Sequence, residues 1–279
     1  MKLLRQSIGG CLGLILLLVD ASPARSEQEV SAVAHKLQWL EQHKDDFNIV
    51  FVGSSRVFHG LSPKLFDEVA STRGQPWHSF NLGMDKMGMA QSMKVIRQLV
   101  GTGPRNLRYV FFEMESGTGM LPGGQNRAAR PGGLAQAPDN HRLGGLGPDG
   151  DGFFPLARSM TAAMQPVYEK RLADAKTNPG KPSPNEEVRS QLATFAQELA
   201  VKNIQVIFLV APSLSPAHGS GVNAPRGGPL ISFDDLDRYA PLYDENNRMD
   251  PEHLNAAGAE IFTRLLAREF GGLLNSQSR

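Results

Sequence analysis

Three stretches of this chain are almost continuously apolar and short: residues 48–53 (NIVFVG), 107–113 (LRYVFFE) and 204–210 (IQVIFLV). They lack the alternation of a half-exposed sheet, so a strand made from them is covered on both faces. Residues 77–82 (WHSFNL) form a weaker fourth candidate. Between these runs the period changes to that of an amphipathic helix. Val30, Val33, Ala34, Leu37 and Leu40 mark a helix over 29–46, and Val188, Leu192, Phe195 and Leu199 mark another over 185–202. Ser62-Pro63 reads as a cap with proline at the first helical position, opening a helix to about residue 72. Further helices are expected over 88–100, over 153–175 with a break at Pro166, and over 255–270 with Asn255 as cap. Alternating strands and helices of this kind specify an α/β protein with a parallel sheet and helices on both faces.

Two regions do not fit this alternation. Residues 117–152 contain 11 Gly and 4 Pro with almost no apolar period, and 212–230 are also rich in Gly and Pro. Without an internal repeat, one domain over 27–279 carrying a long insertion at about 117–152 is the simplest organisation. Residues 1–26 read as a secretory leader. Lys2 and Arg5 precede 12 apolar or glycine residues, 8–19, and Ala24-Arg25-Ser26 supplies small residues for cleavage after Ser26. The run is too short to span a bilayer. An exported, periplasmic or secreted protein is therefore expected, with an uncleaved N-terminal anchor as the alternative. Cys11, the only cysteine, lies inside the leader, which suits an oxidising compartment and excludes disulfides and cysteine-based metal centres. A net charge of +1 argues against nucleic acid as a partner.

Ligands of open parallel sheets lie beyond the carboxyl ends of the strands. The residues there are Gly53-Ser54-Ser55-Arg56, Asn81-Leu82-Gly83 and Glu113-Met114-Glu115-Ser116, with Asp250-Pro251-Glu252-His253 just before the last helix. A serine hydroxyl is a weak nucleophile until a base removes its proton. His253 can be that base for Ser55, and Asp250, three residues away on one turn, can orient the imidazole and offset its developing charge. The N–H groups of Ser55 and Gly83 can face an oxyanion, and a side chain at position 83 would crowd the substrate carbonyl. Arg56, Asn81 and Ser116 are candidate substrate contacts. Asp-Pro-Glu-His also reads as an ordinary helical cap.

Gly53-Ser54-Ser55, Gly83 and Asp250-Pro251-Glu252-His253, followed by Leu254-Asn255 and Gly258, resemble in order and placement the sequence blocks of the SGNH, or GDSL-like, hydrolase superfamily. The resemblance spans about 48–270 outside the two Gly/Pro-rich stretches. It implies a flavodoxin-like three-layer α/β/α fold with a five-stranded parallel sheet, Ser55 as nucleophile, Asp250 and His253 as its partners, and Gly83 as an oxyanion donor. There are two departures. Ser54 replaces the first block's usual Asp, and the Gly-x-Asn-Asp block is missing. Glu113 and Glu115 stand where its Asn would donate, and an ionised carboxylate only accepts.

The function expected is an exported serine ester hydrolase acting on acyl esters of a carbohydrate or envelope molecule. The alternatives are an O-acyltransferase of the same fold in polysaccharide modification, and a binding or assembly protein that keeps the fold without catalysis. No cofactor and no metal are expected. His35, His43, His78, His141 and His218 show no ligand spacing, and His59 reads as a hydrogen-bonded structural residue. Met84, Met87, Met89 and Met93 read as core. Arg127, Arg130 and Arg142 read as solvated loop charges, and Asp234, Asp235 and Asp237 as an acidic cap. Nucleotide-binding Gly-rich loops and the Gly-x-Ser-x-Gly elbow are absent.

Overall fold

The computed structural model describes residues 23–71, 76–114, 145–177, 186–214 and 225–277, with the side chains of the first helix described from residue 33 onward. Most of the proposed leader, Ser116, Arg127, Arg130, His141, Arg142, His218 and most of the 117–152 insertion lie outside the described residues.

Five parallel strands form one sheet: β1 (Ile49–Val52), β2 (Ser79–Asn81), β3 (Tyr109–Glu113), β4 (Gln205–Val210) and β5 (Leu230–Ser232). Their spatial order is β2-β1-β3-β4-β5. This doubly wound order reverses direction between β1 and β3 and leaves a crevice at that point. The helices are α1 (Pro23–Gln42), α2 (Ser55–Gly60), α3 (Pro63–Ala70), α4 (Met89–Gly101), α5 (Gln165–Thr177), α6 (Glu186–Ala200) and α7 (Ala256–Gln277).

The strand side chains alternate between two cores. Val50, Val52, Phe80, Val110, Phe112, Val206 and Phe208 pack with apolar residues of α1, α4 and α6. Ile49, Phe51, Phe111, Ile207, Leu209 and Ile231 pack with residues of α2, α3, α5 and α7. Helices thus cover both faces, as the continuous apolar runs require. The methionine expectation holds for Met84, Met87 and Met93, which are buried in the first core, with Met89 partly buried against it.

The caps behave as local chemistry dictates. Ser62 Oγ accepts from the Leu65 N–H, with Pro63 opening α3. Asn255 Oδ1 accepts from the Gly258 N–H at 3.1 Å and caps α7. Gly258 is needed for close approach, because a Cβ there would lie 2.0 Å from the Asn247 carbonyl oxygen. Asp235 Oδ1 accepts from the N–H groups of Asp237 and Arg238, so that acidic stretch caps a turn.

Three elements differ from expectation. The helix expected over 153–175 begins only at Gln165, and Pro166 is its second residue, where the missing N–H costs nothing. β5, only three residues long, falls where a loop end was expected. The two turns of α2 were not anticipated at all.

Candidate active site

β1 ends in Val52, and the chain turns at Gly53 and Ser54 into α2, whose first residue is Ser55. Ser54 caps this helix, its Oγ accepting from the Arg56 N–H. Ser55 is half-buried. Its Oγ lies 2.7 Å from His253 Nε2, although 198 residues separate the two. On the other side of the ring, His253 Nδ1 faces the Asp250 carboxylate, 2.9 Å from Oδ2 and 3.0 Å from Oδ1. With Nδ1 donating to Asp250, Nε2 presents its lone pair to the Ser55 hydroxyl.

Asp250 does two jobs. Its Oδ1 also accepts from the N–H groups of Glu252 and His253, at 2.7 and 2.8 Å, so the carboxylate caps the turn that carries the imidazole. The carboxylate that caps the turn is thus also the one within hydrogen-bond distance of the His253 ring. Burial acts to raise the Asp250 carboxyl, but the His253 hydrogen bond, the His253 charge and the two backbone donors outweigh it and hold the group below its ordinary value.

Arg248 fixes this turn from beneath. It is fully buried, and its guanidinium donates to the carbonyls of Leu242, Pro251 and Asp250 at 2.8, 2.8 and 3.2 Å. Burial is the main influence on its pKa and lowers it from the usual arginine value, against the pull of Tyr168, Tyr243, Asp250 and Glu252. Lys36 does the same for the opposite wall. This buried residue of α1 donates to the carbonyls of Asn81, Gly83 and Gly152 at 3.1, 2.8 and 2.9 Å, and its ammonium sits 4.2 Å from the centre of the Phe58 ring. Burial pushes its pKa well below the usual lysine value, against the pull of Asp151 and Asp85. Neither cation was singled out in the sequence. A lone Lys on an amphipathic helix and an Arg in a loop carry no local mark of burial.

Glu113 is neither exposed nor unpaired. It is 2% exposed, Oε1 accepts from Arg56 Nε at 2.7 Å, and Oε2 accepts from the Ser54 N–H at 2.5 Å. The carboxylate thus braces the Ser54–Ser55 turn. Gly53 makes room for it, since a Cβ there would lie 2.4 Å from Glu113 Oε2. Arg56, expected as a substrate contact, commits its Nε to this pair.

Asn81 is the clearest correction among the candidate contacts. It is fully buried, its Nδ2 donates to the carbonyls of Val57 and Leu61, both at 2.7 Å, and its Oδ1 accepts from the Gly83 N–H at 2.9 Å. Asn81 therefore ties the loop after β2 to α2 and has no face left for substrate. The glycine at 83 has a different reason from the one expected. A Cβ would lie 2.7 Å from the Phe58 backbone nitrogen and 2.9 Å from Val57 Cγ1, so α2 itself excludes a side chain. The Ser55 N–H, at the first turn of a helix, has no acceptor among the described residues. The Gly83 N–H already has one.

Among the described residues, no group of three or more His, Cys, Asp or Glu side chains is arranged to hold a metal ion. His43 stacks on Trp39. A cavity of about 800 Å³ opens beside the outer edge of β2, lined by Lys64, Asp67, Trp77, His78, Asp149 and Asp151 among others, and no triad residue lines it. No helix among the described residues is long and apolar enough to cross a membrane. Comparison with protein-family models, with curated proteins and with solved structures gave no match.

Proposed function

We propose that this protein is a serine-dependent acyl-transfer enzyme, and more narrowly an exported ester hydrolase of the SGNH type. The observation that carries the proposal is the unbroken line Ser55 Oγ–His253–Asp250, with distances of 2.7 and 2.9 Å. Such a line gives a hydroxyl a base and gives the base an orienting anion, with Ser55 Oγ close enough to Nε2 for proton transfer and Asp250 close enough to hold the Nδ1 proton in place.

The chemistry follows from these positions. Ser55 Oγ attacks the ester carbonyl carbon while His253 Nε2 takes its proton. The oxyanion forms against the Ser55 N–H, while the Gly83 N–H stays committed to Asn81 Oδ1. Collapse of the intermediate breaks the ester C–O bond, and Nε2 returns the proton to the departing alkoxide. Water, deprotonated by the same imidazole, then releases the acyl group from Ser55. No cofactor is required. The pairing of Glu113 supports this reading, because the carboxylate that stands where an oxyanion donor was expected is held by Arg56 and the Ser54 amide. The substrate proposed is an acyl ester on a carbohydrate or envelope molecule, reached after export, in keeping with the leader-like first 26 residues.

The test is turnover of an acetylated glycan by the purified protein, with an acceptor sugar in excess. Free acetate, lost in the Ser55→Ala variant, is the expected product. Acetylated acceptor would reassign the enzyme as a transferase. Turnover that survives Ser55→Ala would overturn the serine mechanism.

A further inference from the structure

Residues 151–156 form neither helix nor strand, yet their backbone is anchored at almost every step. The Asp151 carbonyl accepts from the Asn81 N–H at 2.8 Å, and the Gly152 carbonyl accepts from Lys36 Nζ at 2.9 Å. The Phe154 N–H donates to the Phe58 carbonyl at 3.2 Å, and the Phe154 carbonyl lies 2.6 Å from His59 Nδ1. The Leu156 carbonyl accepts from the Ala256 N–H at 2.9 Å. Gly152 permits the close approach, since its φ is +87° and a Cβ there would lie 1.9 Å from the Asn81 carbonyl oxygen. The segment therefore runs from the end of β2, past the second turn of α2, to the first residue of α7. His59, four residues after Ser55, sits one turn on along the same face of α2. Its ring centre is 6.4 Å from that of His253. The segment thus borders the Ser55–His253 pair on the His253 side. Phe153, Phe154 and Pro155 are only half-buried there, with the Phe154 ring 6.1 Å from that of the buried Phe58.

We infer that Phe153, Phe154 and Pro155 form a fixed rim that seats the alcohol half of the ester, a sugar ring laid with its C–H face against Phe154. This rests on the proposed serine mechanism. In that mechanism the departing oxygen takes its proton from His253 Nε2, so the alcohol lies within hydrogen-bond reach of that nitrogen. That is the side bordered by residues 151–156. The acyl carbon is instead held at Ser55 Oγ, next to the Ser55 N–H. A pyranose is polar around its edge but carries apolar C–H patches on its faces. The flat, electron-rich face of a phenylalanine packs against such a patch. The backbone anchoring serves the same end. A rim already held in place loses little conformational freedom on binding, so ordering offsets little of the contact it makes. An alcohol without a ring has no face to lay on the rim, so the rim favours a sugar ester over a simple alkyl ester.

The experiment compares kcat/KM on an acetylated xylo-oligosaccharide with kcat/KM on ethyl acetate, whose alcohol has no ring. Phe154→Ala should lower the ratio of the two about tenfold, through the KM for the oligosaccharide. Phe154→Tyr keeps the ring and should keep the ratio. A merely structural role of Phe154 would lower both rates together and leave the ratio where it was. An unchanged ratio in Phe154→Ala, or a ratio that Phe154→Tyr does not preserve, overturns the inference. So does an altered preference for acetate over butyrate esters of ethanol, which would put the acyl chain on the rim. If circular dichroism shows that Phe154→Ala does not fold, Phe154→Leu must lower the ratio, and an unchanged value overturns the inference. Calorimetric binding of the deacetylated oligosaccharide, run beside fluorophosphonate labelling of Ser55, separates the two proposals. Binding that weakens in Phe154→Ala, in a protein that never labels, would condemn the serine mechanism and leave the rim standing. Labelling of Ser55 with saccharide binding that Phe154→Ala does not weaken would do the reverse.

Discussion

Glu113 shows how far the chemistry of one residue depends on partners remote in sequence. As a strand-end carboxylate in place of a donor it reads as hostile to an oxyanion. With Arg56 on one oxygen and the Ser54 amide on the other, it becomes a brace for the Ser54–Ser55 turn. The partner is 57 residues away, and nothing local to either residue announces the pair. Glu113→Gln keeps the shape and removes the charge. It should destabilise the fold by roughly 3–5 kcal/mol, the cost of breaking a buried ion pair from one side. It should also slow labelling of Ser55. Urea unfolding and labelling rates check both, and faster labelling would return Glu113 to the role of an obstacle. Asp250 was legible because capping and triad geometry share one spacing of three residues. Asn81 was misread because a strand-end amide looks alike whether it faces substrate or a buried helix end.

At the scale of elements, β1, β3 and β4 were plain because burial on both faces leaves almost the whole run apolar. β5 was not, because three residues are too few to show a period. α2 was hidden for a related reason. Six residues after a glycine turn carry no amphipathic repeat, and the helix is held instead by Asn81 on its carbonyls and by α7 packed against it. The link between α3 and β2 has a pH signature. Asp67 accepts from the Ser79 N–H at 2.9 Å, while its Oδ1 is buried with no partner. Burial is the main cause that lifts its pKa from 3.8 to about 6, against the Ser79 hydrogen bonds. The folded state therefore keeps this proton where the unfolded chain has lost it. Stability falls as pH rises from 3.8 to about 6, and the cost persists above that window. Asp67→Asn keeps the Ser79 contact without a charge. It should gain about 1–2 kcal/mol at pH 8 and nothing below pH 4. Urea midpoints at the two pH values check this, and an equal effect at both would contradict it.

For the whole molecule, the strand order places the site. The reversal between β1 and β3 opens the crevice where Ser55 follows one strand and Glu113 ends the other. The turn before α7 brings Asp250 and His253 to the same place. The order of motifs along the chain was enough to anticipate this meeting, because a parallel sheet sends every strand end to one edge. The two buried cations that hold the meeting place, Lys36 and Arg248, were not, because they bind backbone carbonyls and backbone has no sequence code. Lys36 makes the folding of α1 a condition for the geometry around Gly83, so α1 and the loop after β2 are one unit. The central claim is that Ser55 is activated by His253, and mass mapping of a fluorophosphonate adduct tests it most directly. The account predicts one adduct per chain, on Ser55, with the labelling rate cut by at least roughly a thousandfold in His253→Ala. A folded protein that takes no label, or one whose adduct lies on another residue, would contradict it.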